Sequence, residues 1–358
     1  MLDGRQFYFA GTNAFYLSST DVTSDDQVRT FFQVQSANGV KVVRFWGFVN
    51  GYGGGPVTST PHPIQSSVGQ YNEAGFKRID LILSEAAKQG IKIIVTLANF
   101  EPQFGGIQWY VDQILGTGHD RELFYTNSQA MQYYRQYVSA LVYRTNTFTG
   151  TQYKNDATIL SWELLNEPHT TDNYEKNRGL QPGKMVRDWL DEMSTWLKGI
   201  DSNHLISTGE EGYRADGNTS GNYANWINGG YKGVDFVGDI NLPHIDFATV
   251  HVYPDNWGVP ASDFEWVRSN VIADRASIAH SAGKPIIMEE SGMKTGYVGS
   301  RNSFLGDIYQ WANENNYAGT LVWQVYAWDY NDGQYDFNYQ MDGAQAMWNQ
   351  YGYMNSRS

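Results

Sequence analysis

Two stretches of this chain end in carboxylates placed where paired acid–base chemistry could be done. They are Trp162-Glu163-Leu164-Leu165-Asn166-Glu167-Pro168 and Lys284-Pro285-Ile286-Ile287-Met288-Glu289-Glu290-Ser291-Gly292. A carboxyl at the rim of a strand can protonate a leaving glycosidic oxygen and later activate water, while a second one attacks the sugar carbon. Asn166 beside Glu167 adds an amide able to hydrogen-bond a sugar 2-hydroxyl, an interaction that strengthens in the transition state. Away from a strand end, Asn-Glu-Pro would read as an ordinary turn. Glu163 shares side-chain parity with Glu167 but lies deeper in the strand, which suits a paired structural carboxylate. Glu289 and Glu290 are adjacent and should point to opposite faces, leaving one for the site. The plainer reading of that second pair is a solvated acidic strand end.

Positioning such residues requires a scaffold, and the hydrophobic pattern supplies one. Strand-like runs fall at Phe7–Asn13, Val40–Phe45, Ile91–Leu97, Ile159–Asn166, Leu205–Thr208, Phe247–His251, Ile286–Glu290 and Thr320–Gln324. Several are nearly continuous apolar stretches rich in Val and Ile, as expected for parallel strands buried on both faces. Helical periodicity falls between them at Asp25–Ala37, Glu73–Lys88, Gln129–Arg144, Lys184–Lys198, Phe264–His280 and Arg301–Asn313, with stops at Gly39, Gly90 and Gly283. The alternation predicts an α/β fold, a (β/α)₈ TIM barrel with long βα loops forming a substrate cleft, in one catalytic domain over residues 1–358. A doubly wound sheet is the alternative, but no glycine fingerprint opens the first βα turn. Four long segments, Gly47–Asn72, Asn99–Ser128, Glu210–Ile245 and Ala327–Gly343, would build the face where barrel active sites sit. The glycines of 51–55 lack a Lys-Ser/Thr ending and read as a flexible loop.

Composition excludes several functions. A net charge of -13 disfavours nucleic acid, an anionic membrane surface and a strongly acidic polymer, so a neutral substrate fits. The chain has no cysteine, which removes disulfides, thiolate catalysis and cysteine-ligated zinc. No apolar run approaches a membrane span. The 7 histidines are scattered without His-Glu-x-x-His, carboxylates show no calcium-loop spacing, and no Gly-x-Ser-x-Gly elbow appears. No cofactor or metal is expected, and a monomer is. The compartment stays open: secreted if a leader was removed, intracellular if Met1 is the native start. Asn218-Thr219-Ser220 is a short glycosylation sequon that arises easily by chance. Aromatics are abundant, with 12 Trp, 25 Tyr and 17 Phe, and serve cores as well as sugar-binding clefts.

Eight landmarks run in order along the chain: Gly11-Thr12-Asn13, Arg44-Phe45-Trp46, Asn99 to Tyr110, Asn166-Glu167-Pro168, Glu211-Gly212-Tyr213, His251-Val252-Tyr253, Glu290-x-Gly292 and Trp323. Together they resemble glycoside hydrolase family 5, and within it the β-mannanase group. The resemblance implies a retaining hydrolase of internal β-1,4-mannosidic bonds in mannan, galactomannan or glucomannan, able to transfer sugars as well. It implies Glu167 as acid/base and, through the Glu-x-Gly pattern, Glu290 rather than Glu289 as nucleophile. Arg44, Trp46, Asn166, His169, His251, Tyr253 and Trp323 would then touch substrate or the catalytic pair. By that reading Arg44 holds a carboxylate ionised, Tyr253 donates to the nucleophile, His251 sets proton positions and Trp323 floors the sugar. Singly, each would be a core Trp, a paired Arg or a satisfied His. Trp109, Trp257 and Trp328 are candidates for outer sugar subsites, with core packing the competing reading.

The chain departs from the family pattern in three places. His169 stands where many fungal mannanases have Arg, which would alter the grip on the leaving-group side. Ser291 replaces the usual aromatic between nucleophile and glycine, and the cysteines of secreted fungal relatives are missing. Double displacement requires the carboxyls about 5–5.5 Å apart rather than about 6.5–9.5 Å. It also calls for Glu167 raised towards the working pH and Glu290 held ionised. Rival readings are an exo-acting β-mannosidase, an endo-β-1,4-glucanase, a catalytically inert carbohydrate-binding barrel, and a metal-dependent lyase that chelator would disable.

Overall fold

A computed structural model describes residues 5–51, 62–217, 219–220, 223–328 and 334–357. Residues 52–55 of the glycine-rich loop and Asn218 of the sequon lie outside these. Eight parallel strands form one sheet: β1 (Phe9–Asn13), β2 (Val42–Trp46), β3 (Lys92–Thr96), β4 (Ile159–Glu163), β5 (Leu205–Ser207), β6 (Ala248–Val252), β7 (Ile286–Ser291) and β8 (Gly319–Val322). Their order is β5-β4-β3-β2-β1-β8-β7-β6. Between the outer two, Asp246 N donates to Ile206 O at 2.8 Å and His251 N to Glu211 O at 3.3 Å, so the barrel is nearly closed. All eight expected strands are present, with ends shifted by a few residues.

The strands are buried on both faces because each separates two apolar layers. Outside, helices α1 (Asp25–Ala37), α2 (Glu73–Lys88), α3 (Ser128–Val142), α4 (Lys184–Ile200), α5 (Asp274–Ser281), α6 (Arg301–Glu314) and α7 (Ala344–Arg357) cover the sheet. Inside, Phe9, Val42, Ile94, Phe247, Ile287 and Leu321 form a separate apolar cluster drawn from the strands and their entry points. Strand side chains alternate, so Arg44, Glu289 and Trp323 are the next inward positions, and Asn13 follows Gly11 on β1. The barrel interior thus turns from hydrocarbon to charge towards the strands' C-terminal ends. Among the described residues no helix is long and apolar enough to cross a membrane.

Gly39, Gly90 and Gly283 stand at φ 87°, 66° and 72°, the left-handed conformation that ends a helix. Among the features that differ from expectation are the following. The Phe264–His280 run is broken by a π-helical stretch, Arg268–Ala273. The β5–β6 connection holds only five-residue helices, Ala224–Asn228 and Phe236–Ile240. The unexpected α7 buries Met347, Tyr351 and Met354 at helical spacing.

Candidate active site

Arg44 organises the charged end of the barrel. Fully buried on β2, it donates from Nε and Nη2 to both oxygens of Glu163 at 2.7 Å. Nη1 donates to Glu290 Oε1 at 2.6 Å and Asn13 Oδ1 at 2.9 Å, and Nη2 also reaches Asn166 Oδ1 at 2.5 Å. The bidentate fork therefore grips Glu163, the structural carboxylate, while Glu290 receives a single charged bond. Asn166 in turn donates to Asn99 Oδ1 at 2.9 Å.

Glu290 and Glu167 meet over His251. Tyr253 Oη donates to Glu290 Oε2 at 2.6 Å. His251 Nδ1 lies 2.8 Å from Glu167 Oε1 and 3.5 Å from Glu290 Oε2. A carboxylate oxygen of each glutamate and a ring nitrogen of His251 all lie within 4.8 Å of one another. That spacing suits direct attack by one carboxylate rather than the wider gap that admits water between them.

Two local devices aim these side chains. Glu167 lies beyond β4 at φ 51°, a left-handed conformation that costs a non-glycine residue about 1–3 kcal/mol. Its N–H donates to Gly209 O at 2.8 Å. A Cβ on Gly209 would stand 2.2 Å from Leu165 O and 2.6 Å from Glu163 Oε1. This turn, and not strand parity with Glu163, directs Glu167. The second device corrects the expectation for Glu289. Between β6 and β7 the register passes from Val250↔Met288 to His251↔Glu290, leaving Glu289 as an extra, bulged residue. Both glutamates consequently face inward: Glu289 Oε2 lies 3.4 Å from His251 Nε2 and 3.8 Å from Arg44 Nε. Gly292 completes the motif, because a Cβ there would stand 2.8 Å from the Tyr253 ring.

The electrostatics of the pair are set by burial and by the cations around it. Burial pushes Glu290 up, with repulsion from Glu167 adding to it and His251 and Arg44 opposing. Burial also acts to raise Glu167, but its hydrogen bond to His251 and the charges of His251, His169 and Arg44 bring it below the ordinary range. Burial disfavours the His251 cation, yet Glu290, Glu167 and Glu289 raise its pKa well above the usual value. Both ring nitrogens face carboxylates, which is the geometry of an imidazolium. Burial pushes Glu163 up, with Glu289 adding to it and the Arg44 guanidinium opposing.

A cleft of about 620 Å³ opens above this group, lined by Trp46, Asn166, Tyr253, Trp257 and Trp323 among the expected residues, together with both catalytic candidates. Trp323 stacks on Phe15 with centroids 5.4 Å apart. Five expected residues do not line it: Arg44 and His251 are buried against the carboxylates, and His169, Trp109 and Trp328 stand elsewhere. His169 is buried, with Nδ1 2.8 Å from Glu167 O and its ring 3.7 Å from Phe100, and burial lowers its pKa to about 4. Its ring nitrogen meets the backbone of Glu167 and stands 3.7 Å from Glu211 Oε2. Trp109 packs on Tyr110 and closes over Gly51, whose added Cβ would stand 2.5 Å from Trp109 Nε1. Trp328 packs edge-on against Tyr16 and Tyr326. Both tryptophans are half-buried and have aromatic packing partners.

Phe15, Trp226, Lys232 and Tyr335 line the cleft without having been singled out, and Tyr213 joins them from the Glu211-Gly212-Tyr213 landmark. Except for Phe15 they come from the long segments after β5 and β8, where loop length was the available signal. Glu211, also in the lining, accepts from Tyr213 Oη at 2.6 Å, and burial raises it to about 8. Glu167, His251 and Glu290 are spaced closely enough to hold an ion. The chain already supplies cationic partners there, Arg44 and the His251 imidazolium, which a divalent ion would have to displace.

A family model described as "GH family 5 beta-mannosidase-like" matches residues 1–310. Mannan endo-1,4-beta-mannosidase 1 of Arabidopsis thaliana is 35% identical over 345 residues, covering 91% of this chain and 79% of that one. Its namesake from Solanum lycopersicum is 32% identical over 350 residues, covering 93% and 83%. The crystal structure of the endo-1,4-beta-mannanase from Rhizomucor miehei superposes with a TM-score of 0.86 at 30% identity, covering 99% of this chain and 97% of that one. The endo-1,4-beta-D-mannanase of Thermotoga petrophila RKU-1 gives 0.85 at 27% identity, covering 97% and 100%. The fold and paired carboxyls define a barrel glycosidase. The chain belongs to glycoside hydrolase family 5 and is a glycoside hydrolase.

Proposed function

We propose that this enzyme hydrolyses internal β-1,4-mannosidic bonds of mannan, galactomannan or glucomannan by double displacement. The observation that carries the mechanism is the placement of Glu290, gripped on one oxygen by Arg44 and on the other by Tyr253, with Glu167 across from it. The mannan assignment rests on the relatives, whose names specify endo-acting mannosidases.

Glu290 attacks the anomeric carbon as the bond to the leaving oxygen breaks. Glu167 gives that oxygen a proton, which reaches it from His251 Nδ1 along the 2.8 Å hydrogen bond. The cationic His251–anionic Glu167 pair and the neutral pair carry the same net charge, so the transfer needs no outside ion. This makes an ionised Glu167 in the free site compatible with its work as the acid. Water then gives a proton to Glu167 as its oxygen attacks the carbon, Glu290 departs, and the proton returns to His251. Configuration is retained. A single chain supplies every group, so action as a monomer is part of the proposal.

The test is product analysis on mannan with the two glutamates varied in turn. Mixed mannooligosaccharides whose new reducing ends first appear in the β form are expected. Glu167→Gln and Glu290→Gln should each lower kcat at least about a thousandfold with the fold intact. Mannose alone would point to exo action, and full activity in either variant would overturn the assignment.

A further inference from the structure

We infer that a groove on the barrel's flank is a second binding site for the polysaccharide chain, separate from the cleft. It has a volume of about 590 Å³ and is lined by Gly69, Tyr71, Gln132, Gln136, Ser139 and Trp196, with Arg135 and Ala140. None of these residues lines the catalytic cleft.

The groove follows from how three elements pack. A two-stranded hairpin after β2, Gln65–Ser67 paired with Gln70–Tyr71, turns at Gly69 and rests on α3. Gly69 has φ 74°, and a Cβ there would stand 3.2 Å from the Tyr133 ring, so the turn seats closely because it has no side chain. Tyr71 then stands on one side of α3, 6.1 Å from Tyr137 between ring centroids, and is 37% exposed. Trp196 of α4 stands on the other, with the Arg135 guanidinium 5.9 Å from its ring. Between them α3 presents Gln132, Gln136 and Ser139 at i, i+4 and i+7, one face of the helix. The two rings are therefore about a helix width apart, roughly 10 Å.

The chemistry of this surface matches a neutral, polyhydroxylated ligand. Primary amides and a hydroxyl offer donors and acceptors together. Tyr71, 37% exposed, and the half-buried Trp196 add aromatic surface on its two sides, of the kind that packs on the C–H faces of pyranoses. Arg135, the cation in the lining, pairs with Glu192, which offsets its charge in place. A nucleic acid or acidic polymer would lack its counter-charge here, whereas a mannan chain needs none. The volume lies within the range of ordinary small-ligand sites. An enzyme acting on an insoluble or entangled polymer gains from a second foothold through effective concentration, without any change at the cleft.

The experiment compares Trp196→Ala and the surface double variant Gln132→Ala/Gln136→Ala with the parent on two substrates. One is insoluble linear mannan, with bound enzyme measured by depletion alongside the initial rate; the other is a soluble mannotetraose, too short to span both sites. Retention and rate on insoluble mannan should fall roughly three- to tenfold in both variants, as expected for losing one ring or its polar partners. Turnover of mannotetraose should stay at the parental value. Unchanged retention in both variants overturns the proposal. So does a parallel fall on both substrates in the double variant, whose residues are exposed on α3. Equal retention of the parent on insoluble cellulose and mannan also counts against it, as general adhesion to solids.

Discussion

Tyr253 Oη donates to the oxygen of Glu290 that Arg44 leaves free, at 2.6 Å, so each oxygen of this carboxylate has its own donor. The two donors differ in kind: one carries charge, the other only a dipole.

Removing the dipole should lower activity and move the pH profile. In Tyr253→Phe a hydrogen bond to a charged group is lost, and kcat/KM on mannooligosaccharide should fall roughly tenfold to a hundredfold. The hydroxyl holds the Glu290 pKa down, so its loss should shift the acid limb of the profile to higher pH. An unmoved acid limb would show that Glu290 does not govern it.

His251 should set the width of the profile. Its pKa is raised in the folded site, so the proton it shares with Glu167 is held through neutral pH and lost only on the alkaline side. In His251→Gln that proton rests on Glu167 alone, and the alkaline limb of kcat/KM should move down. Glu290 loses a cation that lowers its pKa, so the acid limb should move up. The bell should narrow from both sides; a profile displaced as a whole would contradict the shared-proton account.

Arg44→Lys should be damaging despite its conserved charge. A point ammonium cannot reproduce the bidentate grip on Glu163 together with bonds to Glu290, Asn13 and Asn166. Leaving buried carboxylates without their partner should cost on the order of 3–5 kcal/mol in denaturant unfolding, with near-complete loss of turnover. Stability within about 1 kcal/mol of the parent would show that the hub is dispensable for folding.

The barrel's other buried ion network makes a stability prediction away from the cleft. Asp80 accepts from Arg144 at 2.6 and 2.8 Å, from Thr147 Oγ1 at 2.7 Å and from Tyr153 Oη at 2.5 Å. Burial acts to raise its pKa, but these bonds outweigh it and hold the carboxyl below its ordinary value. Its contribution is therefore complete above the unfolded pKa of about 3.9 and is lost as pH falls through the lower folded value. Asp80→Asn should remove about 3 kcal/mol at neutral pH and flatten the stability curve below about pH 4. Equal stability of parent and variant at pH 7 would overturn this.

How much of this was legible in the sequence follows from which interactions are local. The eight strands could be read because burial on both faces leaves unbroken Val- and Ile-rich runs such as Val42–Trp46 and Lys92–Thr96. Glu167 and Glu290 could be read as strand-end carboxylates for the same reason. The bulge at Glu289 could not, because it exists only in the pairing of β6 with β7. Nor could the ionic state of His251, which depends on carboxylates 38 and 84 residues away in the chain. Helix α7 was legible in principle, since Met347, Tyr351 and Met354 repeat every three to four residues, but polar residues such as Asn349 and Gln350 dilute the pattern. Trp257 lines the cleft while Trp109 and Trp328 do not, a difference that residue type alone does not encode.

The bulged residue in β7 also bears on how such a barrel could be rebuilt. A regular strand returns a side chain to the interior only at every second position, in steps of about 6.6 Å along its length. The additional residue gives a half step, so the height of Glu290 over the barrel floor is tuned by an insertion and not by strand length. Transplanting this catalytic strand onto an idealised barrel with uniform pleats would put its key oxygen either a rung too low or on the outer shell. A designer would need to copy the irregularity along with the residues.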